Sequence, residues 1–219
     1  MADTSLLDIK SAKSDNIRKI LDAVVVVAPM DVEIPDTFTV DGVLQELPEG
    51  YRSIGWVSKD DAYSWSRDTD MSEVTSHGSV EPTRRDITSD VTGLAMTAQE
   101  TSRTTLELSN NVDLSNTEVV DGELSYTRSV APSTRYWRVI AIGMDGSGPD
   151  AFYVINVLPR AMISEYGELS WSDEDALAYP LTWSATVDQN IGYSFRQVLA
   201  GPGFVSRAED MGFVIADES

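Results

Sequence analysis

Cysteine is absent from the 219 residues, so no disulfide framework, thiolate metal site or cysteine nucleophile is available. Histidine occurs once, as His77. With one imidazole and no thiol, zinc would find little beyond carboxylates. A Ser-His-Asp device would need a serine on a strained turn, and no Gly-x-Ser-x-Gly elbow occurs. Positive charge is also scarce: 16 Lys and Arg stand against 36 Asp and Glu, for a net charge of -20. DNA binders that grip phosphates draw their affinity from Lys and Arg, so this balance excludes that class. The same charge keeps the chain soluble and repels nucleic acid at long range. Long apolar runs are missing, the densest being residues 23–30, too short to span a bilayer. Asp3 and Asp8 stand where a signal peptide would carry positive charge. No membrane insertion is expected, and the product is expected to be made and kept in the cytoplasm.

What is present suffices for a core. The hydrophobic share is 42% with five Trp, and the length suits one domain with extensions. Residues 1–22 place Leu6, Leu7, Ile9, Ile17, Ile20 and Leu21 at loosely helical spacing, which predicts an arm or short helix. A body is expected over 23–200 and a short, acidic, peripheral tail over 201–219. Val24-Val25-Val26-Val27 is β-branched throughout and stops at Pro29, which predicts a strand buried on both faces. Residues 31–50, with Pro35, Gly42 and Pro48, read as a connection with a short strand at 38–40. Leu94, Met96 and Ala98 alternate with polar or small neighbours, as do Leu181, Trp183, Ala185 and Val187, giving strands with one wet face. Residues 152–158 are apolar on both faces and so belong at the centre. The Asp145-Gly146-Ser147-Gly148-Pro149 cluster predicts a turn joining 136–144 to 152–158 as an antiparallel pair. Residues 101–110 are ambiguous: Thr104, Leu106 and Leu108 alternate as in a strand, yet Thr101 or Ser102 can cap a helix and Asn110-Asn111 can end one.

Chemistry-bearing residues are few. The turn 145–150 lacks the spacing and terminal Glu of a calcium loop, and the acidic run 172–175 reads as a solvated turn. The five Trp all fall in or beside strand-like segments, which favours packing over base or sugar stacking. Arg84, Arg85, Arg128, Arg135 and Arg138 are expected in ion pairs, including pairs between subunits. The polar stretch 59–79 is the oddity, since a loop that long in a compact domain is usually functional or disordered.

One order of segments carries a resemblance. Ile54-Gly55-Trp56-Val57-Ser58 is followed by the 59–79 excursion and Arg84-Arg85-Asp86-Ile87-Thr88. The 91–99 strand and Thr101-Ser102-Arg103-Thr104-Thr105-Leu106-Glu107-Leu108 come next. This order resembles the major tail tube protein of long-tailed bacteriophages, the actinobacteriophage group in particular. That family shows an "lGWvs.dD" strand, a long loop, an "R.d.ts...tg...t.qE" strand pair and a "t..tLEL" helix. Ala178-Tyr179-Pro180-Leu181-Thr182-Trp183 stands where the family has "aypLt". The resemblance covers residues 24–199 and contains no catalytic motif.

The resemblance implies a mainly β fold, an antiparallel β-sandwich or half-barrel with one flanking α-helix at 101–110. It implies homohexameric rings whose strands join in a continuous inner barrel. The rings would stack through the 59–79 loop and the N-terminal arm, with Tyr63, Trp65, Arg67 and Met71 as contact residues. Tape-measure and other tail proteins would be the partners, and the chain would reside in the virion tail. DNA would pass without specific binding, and neither enzyme activity nor a cofactor is expected. An acidic bore would repel the phosphate backbone, and Asp60, Asp61, Glu81, Asp86 and Asp90 are the candidates to line it. Rival readings are an immunoglobulin-like binding module, a phage decoration protein and a β-sandwich hydrolase.

Overall fold

β-Branched residues dominate the first long strand, β1 (Asp22–Ala28), in a computed structural model that describes residues 5–131 and 133–216. β1 pairs along its whole length with β7 (Trp137–Asp145), from Asp22 opposite Met144 to Ala28 opposite Arg138. Its other edge meets the short β4 (Arg52–Ser53). Both faces of β1 are covered, as its composition predicts: Val25 and Val27 enter the main core, and Val26 enters a second cluster. That second cluster is roofed by the connection before β4. Its strands β2 (Thr39–Val40) and β3 (Val43–Leu44) form a small hairpin turned by Asp41 and Gly42, both at positive φ.

The fifteen-residue β8 (Phe152–Tyr166) organises the rest. One edge carries β7, joined to it by the expected turn. The other edge is shared: β10 (Arg196–Ala200) lies along Tyr153–Val157, and β9 (Tyr179–Ala185) pairs from Ala161 to Tyr166. β9 carries β6 (Arg84–Ala98), which carries β5 (Ser64–Val74), so one sheet runs β4-β1-β7-β8-β9-β6-β5. This sheet folds over on itself. Val139 from β7, Leu158 and Ile163 from β8, Leu94 and Met96 from β6, and Leu181 and Trp183 from β9 share one buried cluster with Val25 and Val27. The result is a sandwich made from a single antiparallel sheet. β8 is apolar on both faces because one side meets this cluster and the other, through Ile155 and Val157, meets the second.

Residues 101–110 resolve as a helix, α2 (Arg103–Asn110). The Ser102 hydroxyl accepts the Thr105 N–H at 3.2 Å, and Asn111 ends the helix at φ 53°. Thr104, Thr105 and Leu108 are buried, a helical spacing that the alternation of Thr104, Leu106 and Leu108 disguises. Glu107 is buried with them, and Arg52 at 2.7 Å, Arg103 at 3.4 Å and the Leu114 N–H at 3.2 Å satisfy its carboxylate.

Part of the tail expected to be peripheral, within residues 201–213, instead packs on the body. α3 (Pro202–Val205) brings the Phe204 ring edge-on to Phe152, centroids 5.6 Å apart, and Phe213 meets Phe204 in a second edge-on contact at 5.9 Å. Gly203 lies so close to the chain that a Cβ there would sit 2.3 Å from the Asp150 carbonyl oxygen. The N-terminal arm holds a helical turn, α1 (Leu6–Lys10), and reaches the same end of the molecule. There the Arg18 guanidinium lies 4.4 Å over the Phe152 ring and pairs with Asp145 at 3.7 Å. Residues 1–4 of the expected arm and 217–219 of the expected tail lie outside the described residues.

Candidate functional site

Only the last third of β6 is held by the sandwich. Gly93–Ala98 pairs with β9, whereas residues 84–92 pair with β5 alone. From Arg67 and Thr92 outward the chain is therefore a two-stranded arm, and nine residues of extended strand reach about 30 Å beyond the body. The stretch expected as a polar loop, 59–79, is thus mostly strand: β5 supplies eleven of its residues. A strand wet on both faces carries no period-two hydrophobic signal, so its composition reads as loop. Among the described residues the outer edge of β5 has no strand beside it. A bulge at Thr88, between Asp70 opposite Ser89 and Met71 opposite Ile87, adds local twist.

The two faces of the arm differ. One continues the sandwich interior and presents Trp65, Arg67, Thr69, Met71 and Glu73 from β5 opposite Leu94, Thr92, Asp90, Ile87 and Arg85 from β6. Arg67 grips Asp90 with two bonds, Nε to Oδ1 at 2.8 Å and Nη2 to Oδ2 at 2.6 Å, and Arg85 meets Glu73 at 2.8 Å. The Arg67 hydrogen bond holds the Asp90 carboxyl below its usual range and raises the arginine in turn. Between these ion pairs Met71 and Ile87 sit side by side, 60% and 65% exposed. The opposite face carries Ser64, Ser66, Asp68, Asp70, Ser72 and Val74 with Ala95, Gly93, Val91, Ser89, Asp86 and Arg84. It continues across β9 and β8 through Thr182, Ser184 and Glu165. Small hydroxyls and carboxylates dominate it, and its Arg84 is engaged by Asp86 at 2.7 Å.

The candidate contact residues divide. The Tyr63 hydroxyl donates to the Ala23 carbonyl at 3.0 Å, and Trp65 packs edge-on against Phe195 at 6.1 Å beside the core. Both are anchors within their own chain, Arg67 is exposed but tied to Asp90, and Met71 is exposed with its apolar side chain uncovered. The five candidate lumen carboxylates do not share a face. Asp60 and Asp61 lie exposed in the turn before β5, Glu81 lies in the arm's tip near the exposed His77, Asp86 is on the outer face, and Asp90 is on the inner one. Ile87, Asp68 and Asp70 were not among the sequence candidates, and the register puts Ile87 beside Met71 and Asp68 and Asp70 on the opposite face. The alternation of Asp68 and Asp70 in S-x-S-x-D-x-D becomes readable once the segment is known to be a strand.

At the base of the arm the two layers part around a groove of about 1150 Å³. Ala23, Ala141, Gly143 and Val154 form one wall, Trp65, Arg67 and Thr92 the other, with Trp56 and Phe195 at the rim. Buried Asn156 accepts a hydrogen bond from Gln197 at 3.0 Å on its floor. No group of three or more His, Asp or Glu side chains able to hold a metal ion occurs among the described residues. A family model described as phage tail tube protein matches residues 10–197. No curated protein matches the chain.

Proposed function

Since that match spans most of its length, the chain belongs to the phage tail tube protein family, and we propose that its copies form stacked hexameric rings whose shared bore conducts the genome. Membership makes it a structural component of the virion tail. The observation that carries the finer reading is the arm: an eleven-residue strand with an unpaired edge, projecting from a folded body. An exposed edge of that length invites pairing. Copies that add their β5 edge to a neighbour's sheet dispose of it by closing a barrel. The arm's inner face, with Met71 and Ile87, then lies on the adjacent copy. Its outer face of serines with Asp68, Asp70 and Asp86 turns to the bore.

Electrostatics support this orientation. DNA adheres where Lys and Arg displace its counterions, and the proposed bore face offers carboxylates and hydroxyls, with its arginine already engaged. A subunit of net charge -20 repels phosphate. On this reading the motif order is that of the long-tailed actinobacteriophage group, and tape-measure and other tail proteins are the partners. Electron microscopy of concentrated purified protein, with mass spectrometry of purified virions, tests the reading. Hollow tubes with sixfold end views are expected. A chain that stays monomeric by sedimentation and is absent from virions would overturn it.

A further inference from the structure

Four of the 16 cations of this chain stand close together. Lys10, Lys13, Arg18 and Lys19 fall in one short stretch of the N-terminal arm that holds a single carboxylate, Asp15. Lys13 and Arg18 are engaged by Asp210 and Asp145. Lys10 and Lys19 are exposed and make no ion pair with any described residue. Between them Ile17 is 73% exposed. At the far end of β8, the turn 167–178 leading to β9 carries Glu168, Asp173, Glu174 and Asp175 and no cation. In its middle Trp171 is 88% exposed. The Ser172 hydroxyl accepts the N–H groups of Glu174 at 3.0 Å and Asp175 at 3.3 Å, so the turn is internally braced with its indole held outward. A solvated Trp inside a run of exposed residues is the kind of feature that marks an interaction surface.

The two surfaces cannot meet within one chain. The arm is anchored at the start of β8, where Arg18 covers Phe152, and the acidic turn leaves β8 after Tyr166. The fifteen residues of that strand separate them by roughly 45 Å. We infer that the 167–178 turn docks on the basic arm of a second copy, with Trp171 against Ile17 and the carboxylates facing Lys10 and Lys19. Complementary patches at opposite ends of one subunit make a head-to-tail contact, which propagates from copy to copy. An aromatic anchor inside a rim of opposite charge supplies both affinity and orientation. The inference rests on the tube reading and adds to it which surfaces join successive copies.

Two charge-reversed full-length chains test it. One carries Asp173→Lys with Asp175→Lys, the other Lys10→Glu with Lys19→Glu, and circular dichroism first establishes that both fold. Each alone should need about tenfold more protein than wild type to assemble, measured by sedimentation. Mixed in equal amounts, they should assemble at the wild-type concentration, because the basic turn of one meets the acidic arm of the other. The mixture has the wild-type mean charge, so recovery cannot come from a change in overall repulsion. Trp171→Ala should weaken assembly by itself. Single variants that assemble like wild type overturn the inference and leave the tube reading standing. So does a mixture as defective as its components, which would point to another tail protein as the turn's partner. A wild-type chain that never assembles and is absent from tails removes the tube reading, and this inference with it.

Discussion

Replacing Met71 and Ile87 together by serine separates folding from assembly more cleanly than any other change. The two side chains lie opposite each other on the arm and are 60% and 65% exposed, so each has about two-thirds of its surface left to cover. Full burial of such a side chain is worth about 1.5–3 kcal/mol, so covering what remains yields about 1–2 kcal/mol each and about 3 kcal/mol per contact. Loss of that amount weakens a single contact on the order of 100-fold. The subunit itself should barely notice, because substitutions at exposed positions fall within about 0.5 kcal/mol, and the melting temperature should move by about 1–2 °C. Thermal melts followed by circular dichroism, and tube formation followed by sedimentation and electron microscopy, read the two effects. Tubes forming at the wild-type concentration would show that the inner face of the arm is not an assembly surface. A fall in melting temperature of more than about 5 °C would show that the pair is already packed within its own chain, against the exposures on which the reasoning stands.

Replacing Asp68 and Asp70 with Lys should leave tail length normal yet slow DNA release from single particles, with the defect relieved at high salt; release at the wild-type rate in low salt would remove these residues from the bore. Arg138→Ala should cost about 3–5 kcal/mol in urea unfolding, because its guanidinium ties the Val32 and Pro159 carbonyls to buried Asp188 at 3.0 Å. Burial pushes the Asp188 carboxyl up, but the Asn190 N–H and Arg138 outweigh it and hold the group below its usual range. Its stabilising contribution is therefore complete above the ordinary carboxylate pKa and is lost as pH falls through the depressed folded value. Tyr51 has a buried hydroxyl with no hydrogen-bond partner among the described residues and is pushed up to about 12, chiefly by burial. Tyr51→Phe should be neutral or stabilising by up to about 1 kcal/mol. In the wild type the tyrosine's share of stability holds below the unfolded pKa of about 10 and fades as pH climbs toward the folded value, a loss that alkaline melts should show Tyr51→Phe to lack.

Where one face of a segment is buried and the other wet, or both are buried, the residues announce it. The β-branched run of β1, the two apolar faces of β8, the alternation in β9 and the turn between β7 and β8 were all legible for that reason. Cap candidates for α2 were visible in Thr101 or Ser102 and in Asn110-Asn111, although alternation left helix and strand open until burial of Thr104, Thr105 and Leu108 settled it. The sequence also determined the charge, the missing thiols and the motif order that places the chain in its family. Tertiary structure alone decided the rest. β5 has solvent on both faces, so no pattern in its residues distinguishes strand from loop, and only pairing with β6 makes the arm and sorts Asp86 from Asp90. Phe152, Phe204 and Phe213 meet because α3 folds back on the start of β8, a contact between distant residues that no local periodicity encodes. Trp65 and Trp171 look equally apolar in the chain. One packs against Phe195 and the other stands in water, because the sandwich has a place for the first and ends before it reaches the second.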